Sequence, residues 1–260
     1  MIYVFVILII VTTLRHLCFW KPCGGKRFYK NTNFMLISHR GYHKKYPENT
    51  TQSIKRAILK GFRAVEVDVY PSGDNEIFCS HNLDLERETE GGGFIDELNS
   101  ETIINIACNT QKKSYIPTLT SVFHKYNQKT MWIIDVKTKS LFHIKHAYKI
   151  IKIIKEHNLT ESTIVSSFNP LFLWYVKIIE KKIMTGLILK TQKLLILTNI
   201  VHPDFLHLRA DIVNEKTIKY STRKKTPINA WTVNNKPSTG WLKSLGVSGI
   251  ITDEAVSLDS

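Results

Sequence analysis

The sequence predicts an α/β fold in which eight strand–helix units close into a (β/α)8 barrel. A small insertion follows the third strand region, and an N-terminal hydrophobic segment precedes the whole. Three observations lead there. The chain has 260 residues, the size of one such barrel, ~250 residues. From Phe34 onward, short apolar runs alternate with longer amphipathic stretches. Several apolar runs end on His, Asp or Lys, and barrel enzymes carry their chemistry at the C-terminal ends of strands.

The segment Ile2 to Leu14 is almost wholly apolar. It is short for a membrane span of ~20 residues, and Leu17 to Trp20 would extend it if Arg15 and His16 lay at an interface. No Lys or Arg precedes it and no small-residue cleavage site follows, which favours an uncleaved anchor over a cleaved signal or a merely buried segment. The basic residues Arg15, Lys21, Lys26, Arg27 and Lys30 come afterwards, which would put the following domain on the cytoplasmic side of a membrane. A cleaved signal would instead make it secreted or periplasmic. Residues 1–20 thus read as an anchor or signal-like segment, 21–33 as a basic linker, and 34–260 as the barrel domain.

Strands are expected at Phe34–Ser38, Ala64–Tyr70, Glu76–Ser80, Met131–Val136, Thr163–Ser167, Met184–Leu189, Phe205–Leu208, Ile228–Val233 and Gly249–Thr252. That is one more than a barrel holds, and Phe205–Leu208 is the weakest. Helices are expected at Thr50–Lys60, Phe142–Glu156, Leu171–Lys181, Leu194–Val201 and Ser238–Leu245. In the second of these, Ile144, Ala147, Ile150, Ile151 and Ile154 fall on one side. The stretch Asp84–Ser114, with Gly91-Gly92-Gly93, has little periodicity and reads as an insertion that shapes a pocket.

A hydrophobic fraction of 43% supplies a sizeable core, so extensive disorder is excluded. The net charge of +14 points to an anionic partner. Nucleic acid ranks low among these, because no helix-turn-helix, zinc-finger or RNA-recognition signature occurs. The four cysteines, Cys18, Cys23, Cys79 and Cys108, form no CxxC pair, which argues against structural zinc and a disulfide framework. Cys79 lies in an apolar run and reads as a core thiol. No protein partner is implied.

Four clusters carry chemistry. Ser38-His39-Arg40-Gly41 pairs an imidazole, which moves a proton near neutral pH, with a guanidinium that grips phosphate oxygens. In Pro47-Glu48-Asn49-Thr50, the last two residues suit a helix cap, and Glu48 stands just after the His-Arg turn. Glu66 and Asp68 alternate with Val65, Val67 and Val69, so both carboxylates face the lumen of a barrel strand, and a divalent cation would relieve their repulsion. Ser80-His81-Asn82 brings a second imidazole, giving an acid and base pair. Asp135 and Lys137 share a face of a later strand and add a third carboxylate and a cation. Three hard oxygen donors suit Mg2+ or Ca2+ rather than zinc.

These residues, in order, resemble the glycerophosphodiester phosphodiesterase family. The likeness runs through His39-Arg40-Gly41, Pro47-Glu48-Asn49-Thr50, Glu66-Val67-Asp68-Val69 and His81 with Leu83 and Arg87. It continues through Ile116-Pro117-Thr118-Leu119, Ile134-Asp135-Val136-Lys137, Ser166-Ser167-Phe168-Asn169, Ala230-Trp231-Thr232-Val233-Asn234 and Gly246 to Asp253. The resemblance implies a TIM barrel that hydrolyses glycerophosphodiesters to sn-glycerol 3-phosphate and an alcohol. It implies that Glu66, Asp68 and Asp135 bind one divalent cation, Mg2+ or Ca2+. His39 would be general base, His81 general acid, and Arg40 would hold the phosphate. Glu48 would support that group, Lys137 would neutralise phosphate charge, and Trp231 would line the pocket. Asp135 departs from the commoner Glu, and Asn82 from the usual Asp. Alternative readings are a lysophospholipase D acting on membrane lysophospholipids, or a catalytically dead, membrane-tethered phospholipid-binding domain.

Overall fold

The structure is a computed structural model that describes residues 2–18, 20, 22, 25–29, 32–110 and 114–255. Nine strands form among them: β1 (Met35–Ser38), β2 (Ala64–Pro71), β3 (Ile77–Cys79), β4 (Met131–Val136), β5 (Thr163–Ser167), β6 (Met184–Leu189), β7 (Phe205–Arg209), β8 (Ile228–Trp231) and β9 (Gly249–Thr252). Eight of them run parallel, and β1 pairs with both β2 and β9 to close the ring. The expected barrel is therefore present.

Its extra strand is β3, not the one that looked weakest. β3 runs antiparallel on the outer end of β2, with Val69 opposite Cys79 and Pro71 opposite Ile77. Alternation alone cannot separate such a return strand from a barrel strand. The segment Phe205–Leu208 is a genuine barrel strand, paired with β6 and β8. It looked weak because His207 interrupts its apolar run, yet His207 is buried and bonded to Asn229 Nδ2 at 3.1 Å.

Helices α1 (Ile2–Cys18) and α2 (Gly25–Tyr29) precede the barrel. Around it lie α3 (Thr51–Leu59), α4 (Ser100–Ile103), α5 (Leu119–Tyr126), α6 (Ala147–Glu156), α7 (Pro170–Ile179), α8 (Thr198–Val201), α9 (Glu215–Lys224) and α10 (Lys236–Leu245). The helix expected from Phe142 begins only at Ala147, and Phe142 itself is 82% exposed. Helix α9 escaped the sequence reading because its buried side chains are Thr217 and Ser221, which leave no apolar stripe.

Period-2 alternation sorts the strands into two faces. Val65, Val67 and Val69 of β2 and Trp132, Ile134 and Val136 of β4 point outward into the core beneath α3 and α6. Burying each valine contributes ~1.5–3 kcal/mol. The alternate residues point inward. At the base of the lumen, Met35, Ile37, Ala64, Ile133, Ile164, Met184, Phe205 and Ile251 form an apolar layer. Phe28 and Tyr29 of α2 close that layer from below. Packed structure thus reaches back to Gly25, into the segment expected to be a linker. Residues 21, 23, 24, 30 and 31 of that linker, and 256–260 of the expected barrel domain, lie outside the described residues.

The expected membrane anchor is overturned. Among the described residues, no helix is long and apolar enough to cross a membrane. Helix α1 has 17 residues. At about 1.5 Å per residue it falls short of the ~30 Å hydrocarbon core. The membrane association and cytoplasmic orientation inferred from that anchor fall with it. The last turn of α1 lies against α8 instead: His16 Nε2 sits 3.3 Å from the Ile200 carbonyl, and its ring lies 4.2 Å from that of His202, tilted by 37°.

Candidate active site

Above the apolar base, the inward positions become polar. Glu66 and Asp68 of β2 rise from Ala64, Asp135 of β4 rises from Ile133, and Lys137 follows that strand. His39 follows β1, and His81 returns to the mouth because β3 runs back down from the hairpin. His39, Arg40, Glu66, Asp68, His81, Asp135, Lys137 and Trp231, all singled out in the sequence, line one cavity of about 110 Å3.

The loop after β1 is shaped to aim Arg40. Arg40 and Gly41 both adopt positive φ, 55° and 75°. A Cβ on Gly41 would sit 2.6 Å from the Ser53 backbone, so only glycine lets this turn pack on α3. Thr50 caps α3 through a reciprocal box with Ser53. Asn49 has a different task. Its amide donates to Asp68 Oδ2 at 3.1 Å, and its Oδ1 accepts from the Asp68 backbone N–H at 3.0 Å. Glu48 does not line the cavity; it accepts from Arg40 Nη1 at 2.7 Å and so steers the guanidinium.

The three carboxylates converge. Glu66, Asp68 and Asp135 each offer an oxygen within 4.8 Å of the others, and all three are buried. Asp68 also meets two cations: Arg40 Nε at 2.9 Å and Lys137 Nζ at 2.7 Å. Burial would raise its pKa, but Lys137 and Arg40 hold it well below the ordinary carboxylate range. Burial pushes Glu66 up to about 7, with Asp68 and Asp135 adding repulsion that His39 and Lys137 only partly offset. Burial likewise pushes Asp135 up to about 6 against the pull of Lys137.

Two of these oxygens are orphans. Glu66 Oε2 and Asp135 Oδ1 are buried and accept no hydrogen bond. Leaving a buried charged acceptor unsatisfied is costly. Three crowded carboxylates, with two unused oxygens and no sulfur donor, fit a hard divalent cation such as Mg2+ or Ca2+.

The imidazoles are held differently. His39 Nδ1 lies 2.7 Å from Asp253 Oδ1, and Asp253 is itself bonded by Asn234 Nδ2 at 2.6 Å. Burial would lower the His39 pKa, but Glu66 and Asp253 outweigh it and raise it. Asp253 is partly buried, yet its bond to His39 leads in drawing it down to about 2. His81 Nδ1 lies 3.2 Å from Asn82 Oδ1. Burial dominates there and lowers the His81 pKa.

Sequence reasoning missed Asn49, Asp253 and five cavity residues: Phe168, Ile188, Lys190, His207 and Ile251. Ile188 and Lys190 were detectable, since they continue the inward alternation of β6, Lys190 just past its end. Asp253 follows β9 as His39 follows β1, but nothing local tells that the two meet. Trp231 packs edge-on against Phe168 at 5.8 Å and donates from Nε1 to the His207 carbonyl at 3.0 Å.

An eight-stranded parallel barrel with titratable groups gathered at the C-terminal mouth defines an α/β-barrel protein with an enzyme-like site. Residues 39–257 match the model of the glycerophosphoryl diester phosphodiesterase family. A curated glycerophosphodiester phosphodiesterase of Caldanaerobacter subterraneus subsp. tengcongensis is 30% identical over 86% of this chain and 96% of its own. The chain therefore belongs to the glycerophosphoryl diester phosphodiesterase family. Solved structures share the fold. A phosphodiesterase of Oleispira antarctica, in complex with the product sn-glycerol-3-phosphate, matches with a TM-score of 0.77 at 22% identity, covering 84% of this chain and 92% of that one. A glycerophosphodiester phosphodiesterase of Thermotoga maritima matches with a TM-score of 0.72 at 24% identity, covering 85% of this chain and 95% of that one.

Proposed function

We propose that the protein hydrolyses glycerophosphodiesters to sn-glycerol 3-phosphate and an alcohol, using one divalent cation and a pair of histidines. The observation that carries this reading is the meeting of Glu66, Asp68 and Asp135 in the cavity that His39 and His81 also line. A phosphodiester carries one negative charge and a poor leaving group. Its cleavage needs charge neutralisation together with proton removal and delivery.

Glu66, Asp68 and Asp135 would hold the cation. The ion would supply positive charge to a phosphoryl oxygen and would cancel the field with which Glu66 raises His39. Arg40, braced by Glu48, and Lys137 would bind the remaining phosphate oxygens. His39, oriented by Asp253, would take the proton from the attacking oxygen as general base. His81 would return a proton to the departing alkoxide as general acid; the anionic diester beside it favours the protonated imidazole that burial alone disfavours. Trp231 and Phe168 would cover the organic part of the substrate.

Purified protein assayed with Mg2+, Ca2+ or chelator against glycerophosphocholine and lysophosphatidylcholine tests this reading. Ion-dependent release of glycerol 3-phosphate from glycerophosphocholine is expected. Preference for the lysolipid would move the assignment to lysophospholipase D. Binding of diesters without turnover under any ion would leave a substrate-binding domain.

A further inference from the structure

The insertion between β3 and α5 has its own small core of Phe78, Leu85, Ile95, Ile103, Cys108 and Ile116. That core holds Glu88 at the mouth of the barrel. The Glu88 carbonyl accepts from Asn109 N–H at 2.8 Å, and Thr89 forms a bridge with Cys108. Glu88 Oε1 accepts from Asn82 Nδ2 at 2.5 Å. The other end of the same carboxamide, Asn82 Oδ1, faces His81 Nδ1 at 3.2 Å.

We infer that Glu88 is a positioning residue that fixes the ring and tautomer of His81 through Asn82. The inference rests on the general-acid role given above to His81. Glu88 Oε1 takes its hydrogen bond from Asn82 Nδ2, so the amide NH2 faces Glu88 and the carbonyl end is turned the other way. Asn82 Oδ1 is then committed toward His81, and only a protonated Nδ1 can donate to it. Nε2 is left as the ring nitrogen available to substrate. The chain of contacts continues on the far side. Glu48, His81 and Glu88 offer ligand-type atoms within 4.8 Å of one another, and Glu48 grips Arg40. Burial and the neighbouring Glu48 push Glu88 up to about 7, as expected for two carboxyl groups crowded at one place. The acid loop and the phosphate-binding arginine are thus braced by one belt of side chains.

The belt also accounts for Asn82 standing where the resemblance leads one to expect Asp. An Asp at 82 would bring a third carboxyl group to the place where Glu48 and Glu88 already crowd each other. The neutral amide lets the two coexist and turns repulsion into a donor–acceptor pair.

The test is a set of variants at 82 and 88, measured by kcat and KM on glycerophosphocholine and on a nitrophenyl diester. E88A and N82A are each expected to lose about tenfold in kcat with KM little changed, a modest share of the ~100- to 10,000-fold that a general acid supplies. E88A/N82A should be no worse than the poorer single variant, because both changes cut one connection. E88Q keeps an accepting oxygen and should stay within about threefold of the parent protein. N82D should be impaired alone and restored in N82D/E88Q, where the glutamine amide donates to the new carboxylate. On the nitrophenyl diester, whose leaving group departs without a proton, all these losses should shrink. Additive losses, a neutral N82D, or equal defects on both substrates would overturn the proposal. H81A separates the two layers. Normal turnover by H81A removes the acid role on which the proposal rests. An inactive H81A beside fully active E88A and N82A overturns the positioning role alone.

Discussion

The two ends of this barrel are built from the same strands but by opposite rules. At the base, inward positions are Met, Ile, Ala and Phe, sealed by Phe28 and Tyr29. At the mouth, two to four residues further along each strand, they are His39, Glu66, Asp68, Asp135 and Lys137. The base gains stability from every group it buries. The mouth buries like charges together and leaves oxygens without partners, a cost that a fold tolerates only where something else is to bind. The boundary runs through single strands: in β2 it falls between Ala64 and Glu66, and in β4 between Ile133 and Asp135.

Substitutions at the two ends should therefore separate activity from stability. The largest effect is expected at the mouth. H39A or H81A should lower kcat by about 100- to 10,000-fold while the thermal midpoint changes little, read by steady-state kinetics beside thermal melts. A comparable fall in the melting temperature would show that the imidazoles serve the fold. At the base, F28A should cost about 3–5 kcal/mol of stability with kcat of the folded fraction preserved, read by urea unfolding. Loss of activity without loss of stability there would erase the contrast.

A sharper probe uses the crowded carboxylates themselves. Saturating Mg2+ or Ca2+ should stabilise the protein, by about 2.7 kcal/mol at a hundredfold excess over Kd. E66Q should abolish that shift, measured by calorimetric melts with and without ion. A persistent shift in E66Q would place the ion elsewhere.

A last probe, which leaves activity at neutral pH untouched, concerns a buried histidine that neither end uses. His146 is fully buried, stacks on Phe172 with centroids 5.0 Å apart, and bonds through neither ring nitrogen. Burial lowers its pKa to about 3. A folded pKa below the unfolded 6.5 means that the unfolded chain binds the proton first, so stability falls as pH drops below about 6.5 and continues falling toward 3. Each such group contributes up to about 1.4 kcal/mol per pH unit. H146F should flatten the melting temperature between pH 6.5 and 4; an unchanged acid slope would contradict this.

The same contrast explains what was legible in the sequence. Alternation within one strand is local, so Glu66 and Asp68 facing away from Val65 and Val67 could be read directly. So could the residues that follow strand ends, His39 and Lys137. What depends on closure of the barrel could not. Asp253 reaches His39 only because β9 pairs with β1. Asn49 looked like a helix cap, because its bonds to Asp68 come from a strand 19 residues away. Glu88 lay in a stretch without periodicity, and its place was set by a small core that no pattern announced. The surplus strand was misjudged for a related reason: β3 alternates like a barrel strand, and only its antiparallel partner reveals that it folds back over the mouth. The apolar N-terminal run was legible as an apolar segment, but the 17-residue helix it forms does not make a span.

The most direct measurement of the central claim follows ion binding and turnover together in ion-stripped protein. Parent protein, H39A and D135N would be titrated with Mg2+ and Ca2+ in a calorimeter, then assayed on glycerophosphocholine. The parent should bind one ion and regain hydrolysis in step with occupancy, H39A should bind the ion and stay inactive, and D135N should bind weakly. Full turnover by chelated parent protein, or by H39A, would contradict the account.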